Sequence, residues 1–371
     1  MNSKFSLIKA IIKNNAVTVI AALCALITTF FVPPDSEYLS YFDFKTLTCL
    51  FCVLAVVCAL RNIRFFYTLA KKIVKRFKNA KIAVLVLVYV TFIGSMLIAN
   101  DMALLTFLPL GYFVLHTTDK EKYMAFTFIM QNIAANLGGM LTPFGNPQNL
   151  YLYSKFNIPD GEFVLIMLPP FLVAITLITI CCLIFVKAEP LEIVDDGYNT
   201  PKWRVVIYLI LFLLSILIVF RGIHYSIGLI VIPLSLLFLD RRALLNVDYG
   251  LLLTFVFFFI FSGNMGRIDV VRQLFSSLLE KSTLIVSTLC CQFISNVPSA
   301  ILLSQFTDNY KELLRGVNIG GAGTLIASLA SLITFREYTL HKKNSAKDYI
   351  IKFSLFNFSF LGILLLFCYF L

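Results

Sequence analysis

Charge is what this sequence most lacks. Only 14% of its 371 residues are Asp, Glu, Lys or Arg, against about 25% in soluble domains, while 59% are hydrophobic. Apolar runs near spanning length recur from end to end. That pattern excludes an ordinary water-soluble core and implies an all-α polytopic membrane protein. Catalytic motifs are missing too. There is no His-Glu-x-x-His, no Gly-x-Ser-x-Gly and no phosphate loop, so no enzyme activity and no cofactor are expected. The three histidines, His116, His224 and His341, read as scattered at loop edges, forming no cluster. The nine cysteines lie mostly inside apolar runs and without metal-ligand spacing to histidine; they are expected to be small, reduced core residues.

The few charges that remain are unevenly placed. The formal net charge is +11, which in a soluble chain can signal nucleic acid; here the excess base follows membrane topology, and no nucleic-acid partner is expected. The first apolar run, Ala16 to Val32, has no small-residue cleavage site and leads into Pro33-Pro34, so it is expected to stay as a span rather than act as a signal peptide. Further spans are placed at Thr46–Leu60, Tyr123–Ala135, Phe163–Val186, Val205–Phe220, Tyr225–Leu239, Tyr249–Ser262 and at the C-terminal end. A basic stretch from Arg61 to Lys81 has apolar residues near helical spacing and is expected to lie along the inner surface. Ile82–Leu115 is apolar apart from Asn100-Asp101 and enters and leaves on one side, as a re-entrant hairpin or two short spans. Ser282–Phe306, with Ser295-Asn296 at its tip, forms a second hairpin. This layout has about eight full spans and puts 22 of the 31 Lys and Arg on one side. By the positive-inside rule that side is cytoplasmic, with the N-terminus inside and the C-terminus outside, in a plasma or bacterial inner membrane.

Two stretches break this apolar pattern in the same way. Asn136 to Asn149 carries Gly138, Gly139, Gly145, Pro143 and Pro147 among Asn, Thr and Gln side chains. Glycine permits backbone that other residues avoid, and proline removes a donor and disfavours helix before it. Within lipid such backbone is tolerated only where it is buried in protein or lines a wet cavity. Laid without gaps over Asn318 to Ser331, Asn136 meets Asn318, Gly138 and Gly139 meet Gly320 and Gly321, Thr142 meets Thr324, and Asn146 meets Ser328. Phe42-Asp43-Phe44 likewise resembles Val247-Asp248-Tyr249, and the tips at Asn100 and Asn296 correspond. The first copy starts inside and the second outside. The expected organisation is therefore one transmembrane domain, 1–371, made of a first inverted repeat (15–187), a cytoplasmic linker (188–204) and a second inverted repeat (205–371), each with a re-entrant hairpin and a broken transmembrane helix. Matching breaks in two halves point to a binding site near the bilayer midplane.

The residues expected to line that site are Asn100, Asp101, Thr142, Gly145, Asn146 and Asn149 from one half, with Ser295, Asn296, Asn318, Gly321, Thr324 and Ser328 from the other. Half-helix N-termini favour anions. Freed carbonyls with Asn and Thr oxygens suit a dehydrated Na⁺ near Asn100, Asn146, Asn296 and Thr324. The competing explanation is that these polar groups only join helices. Asp101 is the one carboxylate placed deep in the membrane, where acidic groups are costly and usually functional; alternatively it lies shallow and caps a helix beginning near Met102.

Taken together, the hairpin tips and paired breaks resemble the ion transporter superfamily, which includes divalent anion:sodium symporters, citrate transporters and arsenite permeases. The resemblance covers about residues 15–371. Where the symporters carry Ser-Asn-Thr at each tip, this chain has Asn100-Asp101-Met102 and Ser295-Asn296-Val297; the first is closer to the arsenite-permease branch. The resemblance implies an elevator-type secondary transporter with Na⁺ or H⁺ coupling, commonly a homodimer, carrying a small carboxylate or inorganic oxyanion by alternating access. Na⁺/H⁺ antiport or arsenite-type efflux through Asp101 is the alternative, and a channel is a third.

Overall fold

The computed structural model describes residues 16–191 and 201–371. The basic segment with Lys4, Lys9 and Lys13 and most of the 188–204 linker lie outside the described residues. Among the described residues the chain is helix and loop, with no strand. Six helices there are long and apolar enough to cross a membrane, and three further apolar helices are shorter. Large side chains such as Phe30, Phe238 and Leu355 point outward, as lipid-facing surfaces do in a bilayer and rarely do in water. The molecule is a multi-pass, all-α membrane protein.

Two groups of helices can be followed from the sequence upward. The first begins with α1 (Ala16–Thr29) and α2 (Phe44–Asn62). The Asp43 carboxylate starts α2 by accepting the Thr46 N–H at 2.9 Å. Every residue from Cys52 to Leu60 is buried, so α2 is apolar all round because it is covered all round. Helix α3 (Phe65–Val74) is the amphipathic piece, shorter than the basic stretch that contains it. Then come the hairpin α4 (Ala80–Ile98) and α5 (Asn100–Thr117), the broken pair α6 (Met124–Gly138) and α7 (Pro147–Lys155), and α8 (Asp160–Phe185).

Past the linker lie α9 (Lys202–Val219), α10 (Tyr225–Leu239), α11 (Arg241–Leu245) and α12 (Tyr249–Arg267). Asp248 starts α12 through the Leu251 N–H, again at 2.9 Å. Amphipathic α13 (Asp269–Lys281) leads to a second hairpin, α14 (Thr283–Ile294) and α15 (Asn296–Leu303). A second broken pair, α16 (Tyr310–Ile319) and α17 (Leu329–His341), precedes the last helix, α18 (Ala346–Tyr369).

The packing exchanges partners between the halves. Helix α12 lies on α1, while α2 lies on α9 and α10. Likewise α17 packs on α5 and α6, and α7 packs on α15 and α16. Each broken helix is thus covered by elements of the other half, which removes its irregular backbone from lipid. The hairpins are unequal. The arms of the first have 19 and 18 residues, long enough to cross; those of the second have 12 and 8, roughly 18 and 12 Å, too short to cross.

Among the described residues the histidines gather no metal-binding group, although two of them share one ring. The Tyr112 ring stacks between His116 (5.0 Å) and His341 (3.6 Å), each tilted by 11°. Tyr112 and His116 are one turn apart on α5, and α17 brings His341 in from the other half, a meeting that no local spacing encodes. Asp101, in turn, is not a helix cap: α5 begins at Asn100, its flanking residue is Ala99, and there is no side-chain cap. The cysteines are free, six of them buried.

Candidate functional site

Each hairpin turns on one residue in left-handed backbone, Ala99 at φ 65° and Ser295 at φ 73°. Neither is glycine, and such backbone costs about 1–3 kcal/mol unless its surroundings hold it. The surroundings do. Past the first tip, the Asn100 N–H donates to the Gly145 carbonyl at 3.1 Å; past the second, the Asn296 N–H donates to the Ala327 carbonyl at 2.9 Å. Gly145 and Ala327 coincide when Asn136 is laid on Asn318. Both tip asparagines then accept the following amide, of Asp101 or Val297, at 2.9 Å. The threonines complete the pattern. Thr142 donates to the Met96 carbonyl at 2.7 Å and Thr324 to the Gln292 carbonyl at 3.0 Å, and Met96 and Gln292 stand at the same distance before their tips. One set of bonds fastens both hairpins to both breaks.

Between the halves, the breaks join through amide side chains. Asn136 Oδ1 accepts from Asn100 Nδ2 at 3.1 Å and from the Ser328 hydroxyl at 2.8 Å. Asn318 Oδ1 accepts from Asn146 Nδ2 at 3.2 Å and from Gln148 Nε2 at 3.4 Å. Asn318 Nδ2 donates to Asn149 Oδ1 at 2.6 Å. Since Asn146 overlays Ser328, the Asn136–Ser328 and Asn318–Asn146 bonds are one contact written from each side. Asn146 and Ser328 also flank the starts of α7 and α17. With α5 and α15 beginning at Asn100 and Asn296, four helix N-termini gather at this junction; most of their first N–H groups are already bonded, but each brings a positive dipole end.

Glycine permits the closeness. A Cβ on Gly139 would stand 2.4 Å from Asn146 Oδ1. One on Gly321 would stand 3.1 Å from Asn296 Nδ2 and 3.7 Å from Asn136 Oδ1, so Asn296 also reaches the junction. Asn100, Asn136, Asn146, Asn149, Asn296, Asn318 and Ser328 are all buried. Three of their neighbouring polar atoms nevertheless have no partner: Asn136 Nδ2, Asn146 Oδ1 and Gln148 Oε1. An unpaired buried polar atom costs about 1–3 kcal/mol, and a donor beside two acceptors is the arrangement a polar ligand would satisfy.

The proposed site residues divide by this geometry. Asn100, Asn146, Asn149, Asn296, Asn318 and Ser328 come together, with Gly321 among them. Thr142 and Thr324 turn their hydroxyls to the hairpin backbone instead, and Gly145 contributes only its carbonyl. Asn149 Nδ2 ties down the break by donating to the Gly139, Met140 and Thr142 carbonyls at 3.2–3.4 Å. Ser295 donates to the Ala327 carbonyl at 3.3 Å. Asp101 lies in the first turn of α5, and its Oδ1 is buried without a partner. Three residues belong in the set and were absent from the expected lining. Asn136 and Gln148 sit inside the first break. Gln292 holds the Thr324 N–H at 2.9 Å and donates to the Gly320 carbonyl at 2.9 Å; its signal was one long polar side chain in the apolar run Thr288–Ile294.

Residues 5–310 match the family model described as citrate transporter. The chain is 34% identical over 295 residues to an uncharacterized transporter of Methanocaldococcus jannaschii, covering 79% of this chain and 81% of that one. It is 29% identical over 318 residues to inner membrane protein YbiR of Escherichia coli, covering 83% and 84%. It is also 23% identical over 368 residues to a 46 kDa membrane protein of Mycobacterium leprae, covering 86% and 85%.

Proposed function

The chain belongs to the citrate transporter family and is a membrane transporter, and we propose that it is an ion-coupled secondary carrier of a small anion, a carboxylate or inorganic oxyanion, working by alternating access. The observation that carries this reading is the amide junction, in which the Asn136–Ser328 and Asn318–Asn146 bonds join the halves in matching fashion around unpaired polar atoms. The paired tips and breaks support two inverted repeats, 15–187 and 205–371. The described residues of the junction include no Lys or Arg, so an anion there is held by helix N-termini, amide N–H groups and a co-bound cation.

The oxygens that fit a Na⁺ are narrower than the sequence suggests. Asn146 Oδ1 and Gln148 Oε1 are free to coordinate. Asn100 and Asn296 already accept backbone amides on their Oδ1, whereas the Thr324 hydroxyl, which donates to the Gln292 carbonyl, keeps its lone pairs. A hard cation takes oxygen ligands, so a Na⁺ beside Asn146 and Gln148 is the arrangement these unpaired oxygens support best.

Alternating access finds support in two clefts at corresponding places. One of about 670 Å³ reaches Gln305 beyond α15. One of about 360 Å³ reaches Pro109 of α5. Gln305 and Pro109 coincide when Asn296 is laid on Asn100. With basic segments inside, the larger cleft faces outward, the N-terminus is cytoplasmic and the C-terminus external; the working unit is a homodimer moving by an elevator-type step.

A second reading rests on Asp101, whose buried, unpartnered oxygen suits proton or cation exchange without an organic substrate, or arsenite-type efflux. Proteoliposomes separate the readings. Uptake or counterflow of labelled citrate, dicarboxylates, sulfate or arsenate under an imposed Na⁺ or H⁺ gradient supports the anion carrier. Gradient dissipation with every anion excluded supports exchange, and unitary currents in planar bilayers overturn both in favour of a channel.

A further inference from the structure

The larger cleft differs from the junction in carrying fixed positive charge. It is lined by Lys45 of α2, Lys155 at the end of α7 and Arg272 of α13, along with Arg267, Glu37 and Asp43. Arg267 is neutralised: it pairs with Asp35 at 2.6 Å and Glu37 at 3.5 Å. Asp43 caps α2 through Thr46 but keeps its own charge, so the lining sets four cations against two carboxylates. The other three cations form no ion pair among the described residues. Arg272 donates to the Gly266 carbonyl at 2.6 and 2.9 Å, and Lys155 donates to Gln305 Oε1 at 3.4 Å. Both partners are neutral, so the charge stays available to a ligand.

The cleft is also close to the junction. Helix α7 carries Gln148 at one end and Lys155 at the other, a rise of roughly 10 Å at 1.5 Å per residue. Between them Tyr151 lines the cleft floor, its hydroxyl sharing a hydrogen with Ser304 at 2.9 Å. A volume of about 670 Å³ is within the range of roughly 300–1,000 Å³ usual for small-molecule sites.

We infer that this cleft is a second, peripheral anion site, one that gathers small multivalent carboxylates or oxyanions and passes them to the uncharged junction one short helix away. Cations around a partly enclosed cleft focus the field and raise local anion concentration by about 10–10³-fold, an effect that salt screens. The role as an antechamber rests on the anion-carrier reading; the binding itself does not.

The test is electrostatic and needs no transport. Ser154 lines the cleft. In a Ser154→Cys variant of the full chain in detergent, the labelling rates of an anionic sulfonatoethyl and a cationic trimethylammonioethyl methanethiosulfonate are compared. Modification is followed at residue 154 by peptide mass spectrometry, so the native cysteines do not interfere, and the thiolate fraction cancels in the ratio. Relative to the same ratio on a free thiol, the anionic reagent is expected to react about tenfold faster. The preference should fall to near unity in Lys45→Gln/Lys155→Gln/Arg272→Gln or in high salt, and citrate should slow the anionic reagent. The single Arg272→Gln variant, expected to lower the ratio part of the way, serves if the triple variant is not monodisperse. A native ratio at or below one, or a ratio indifferent to these substitutions, overturns the inference. A strong anionic preference without anion uptake in proteoliposomes sinks the carrier reading and leaves the cleft standing; uptake with no preference sinks the cleft alone.

Discussion

Replacing Asn136 and Ser328 by alanine, singly and together, addresses the junction most directly. Asn136 Oδ1 accepts two buried donors, from Asn100 and Ser328. Asn136→Ala therefore leaves two donors unmet at about 1–3 kcal/mol each. It also removes the unpaired Nδ2, returning a similar amount for one group. The expected net loss is about 1–3 kcal/mol. Ser328→Ala loses its bond to Asn136 and its N-terminal contact to the Ala330 N–H at 3.2 Å, together about 1–2 kcal/mol. Side-chain hydrogen bonds inside membrane proteins couple by about 0.6 kcal/mol on average and up to about 1.7, so the double variant should fall short of the summed singles by that much. Denaturant unfolding in mixed micelles, followed by fluorescence of the one tryptophan, Trp203, measures it. The mirror cycle, Asn318→Ala with Asn146→Ala, should give a coupling of similar size. Two cycles that add to within about 0.3–0.5 kcal/mol, the usual result for independent sites, would refute the junction as described. Coupling in one cycle alone would remove the support for matched halves.

Asp101→Asn is expected to keep the protein folded while abolishing transport or its cation and pH dependence; wild-type uptake with an unchanged ion dependence in proteoliposomes speaks against any role for the carboxylate. Gly323 holds φ 129°, and a Cβ there would lie 2.1 Å from Gln292 Oε1, so Gly323→Ala should destabilise by about 1–3 kcal/mol through strain and loss of the Thr324 contact. Gly362→Ala, with nothing within 4 Å, should be neutral or mildly stabilising in the same unfolding assay, since alanine suits a helix better. Just past α8, Glu189 accepts from Lys120 (2.8 Å), Lys122 (2.6 Å) and Tyr123 (2.9 Å), and these donors, Lys120 foremost, pull its carboxyl down from 4.5 to about 2. A depressed carboxylate stabilises the fold above its unfolded value and loses that contribution as pH falls toward the folded one. The stability difference between the native protein and Glu189→Gln should therefore be constant at neutral pH, shrink below about pH 4.5 and vanish near pH 2; a difference independent of pH would show that the carboxylate charge is not what the lysines hold.

Much of the architecture was legible because its causes are local or bulk. Scarce charge and recurrent apolar runs force backbone hydrogen bonds to be satisfied within helices, and that alone gives an all-α membrane protein. Glycine and proline act on their own backbone angles, so the broken stretches 136–149 and 318–331 could be read directly, while the structure narrows the non-helical backbone to between α6 and α7 and between α16 and α17. The matching of residue types between the two broken stretches was visible because similar backbone breaks call for similar residues. Tertiary structure decided the pairing. Asn136 and Ser328 are 192 residues apart, Asn146 and Asn318 are 172, and an amide or hydroxyl carries no periodicity that announces its partner. So the hairpin contacts of the Thr142 and Thr324 hydroxyls and the place of Gln292 went unread, and His116 and His341 come to share Tyr112 only because α17 crosses α5. Local chemistry fixes where a helix can exist and where it must break; only packing fixes which broken end faces which.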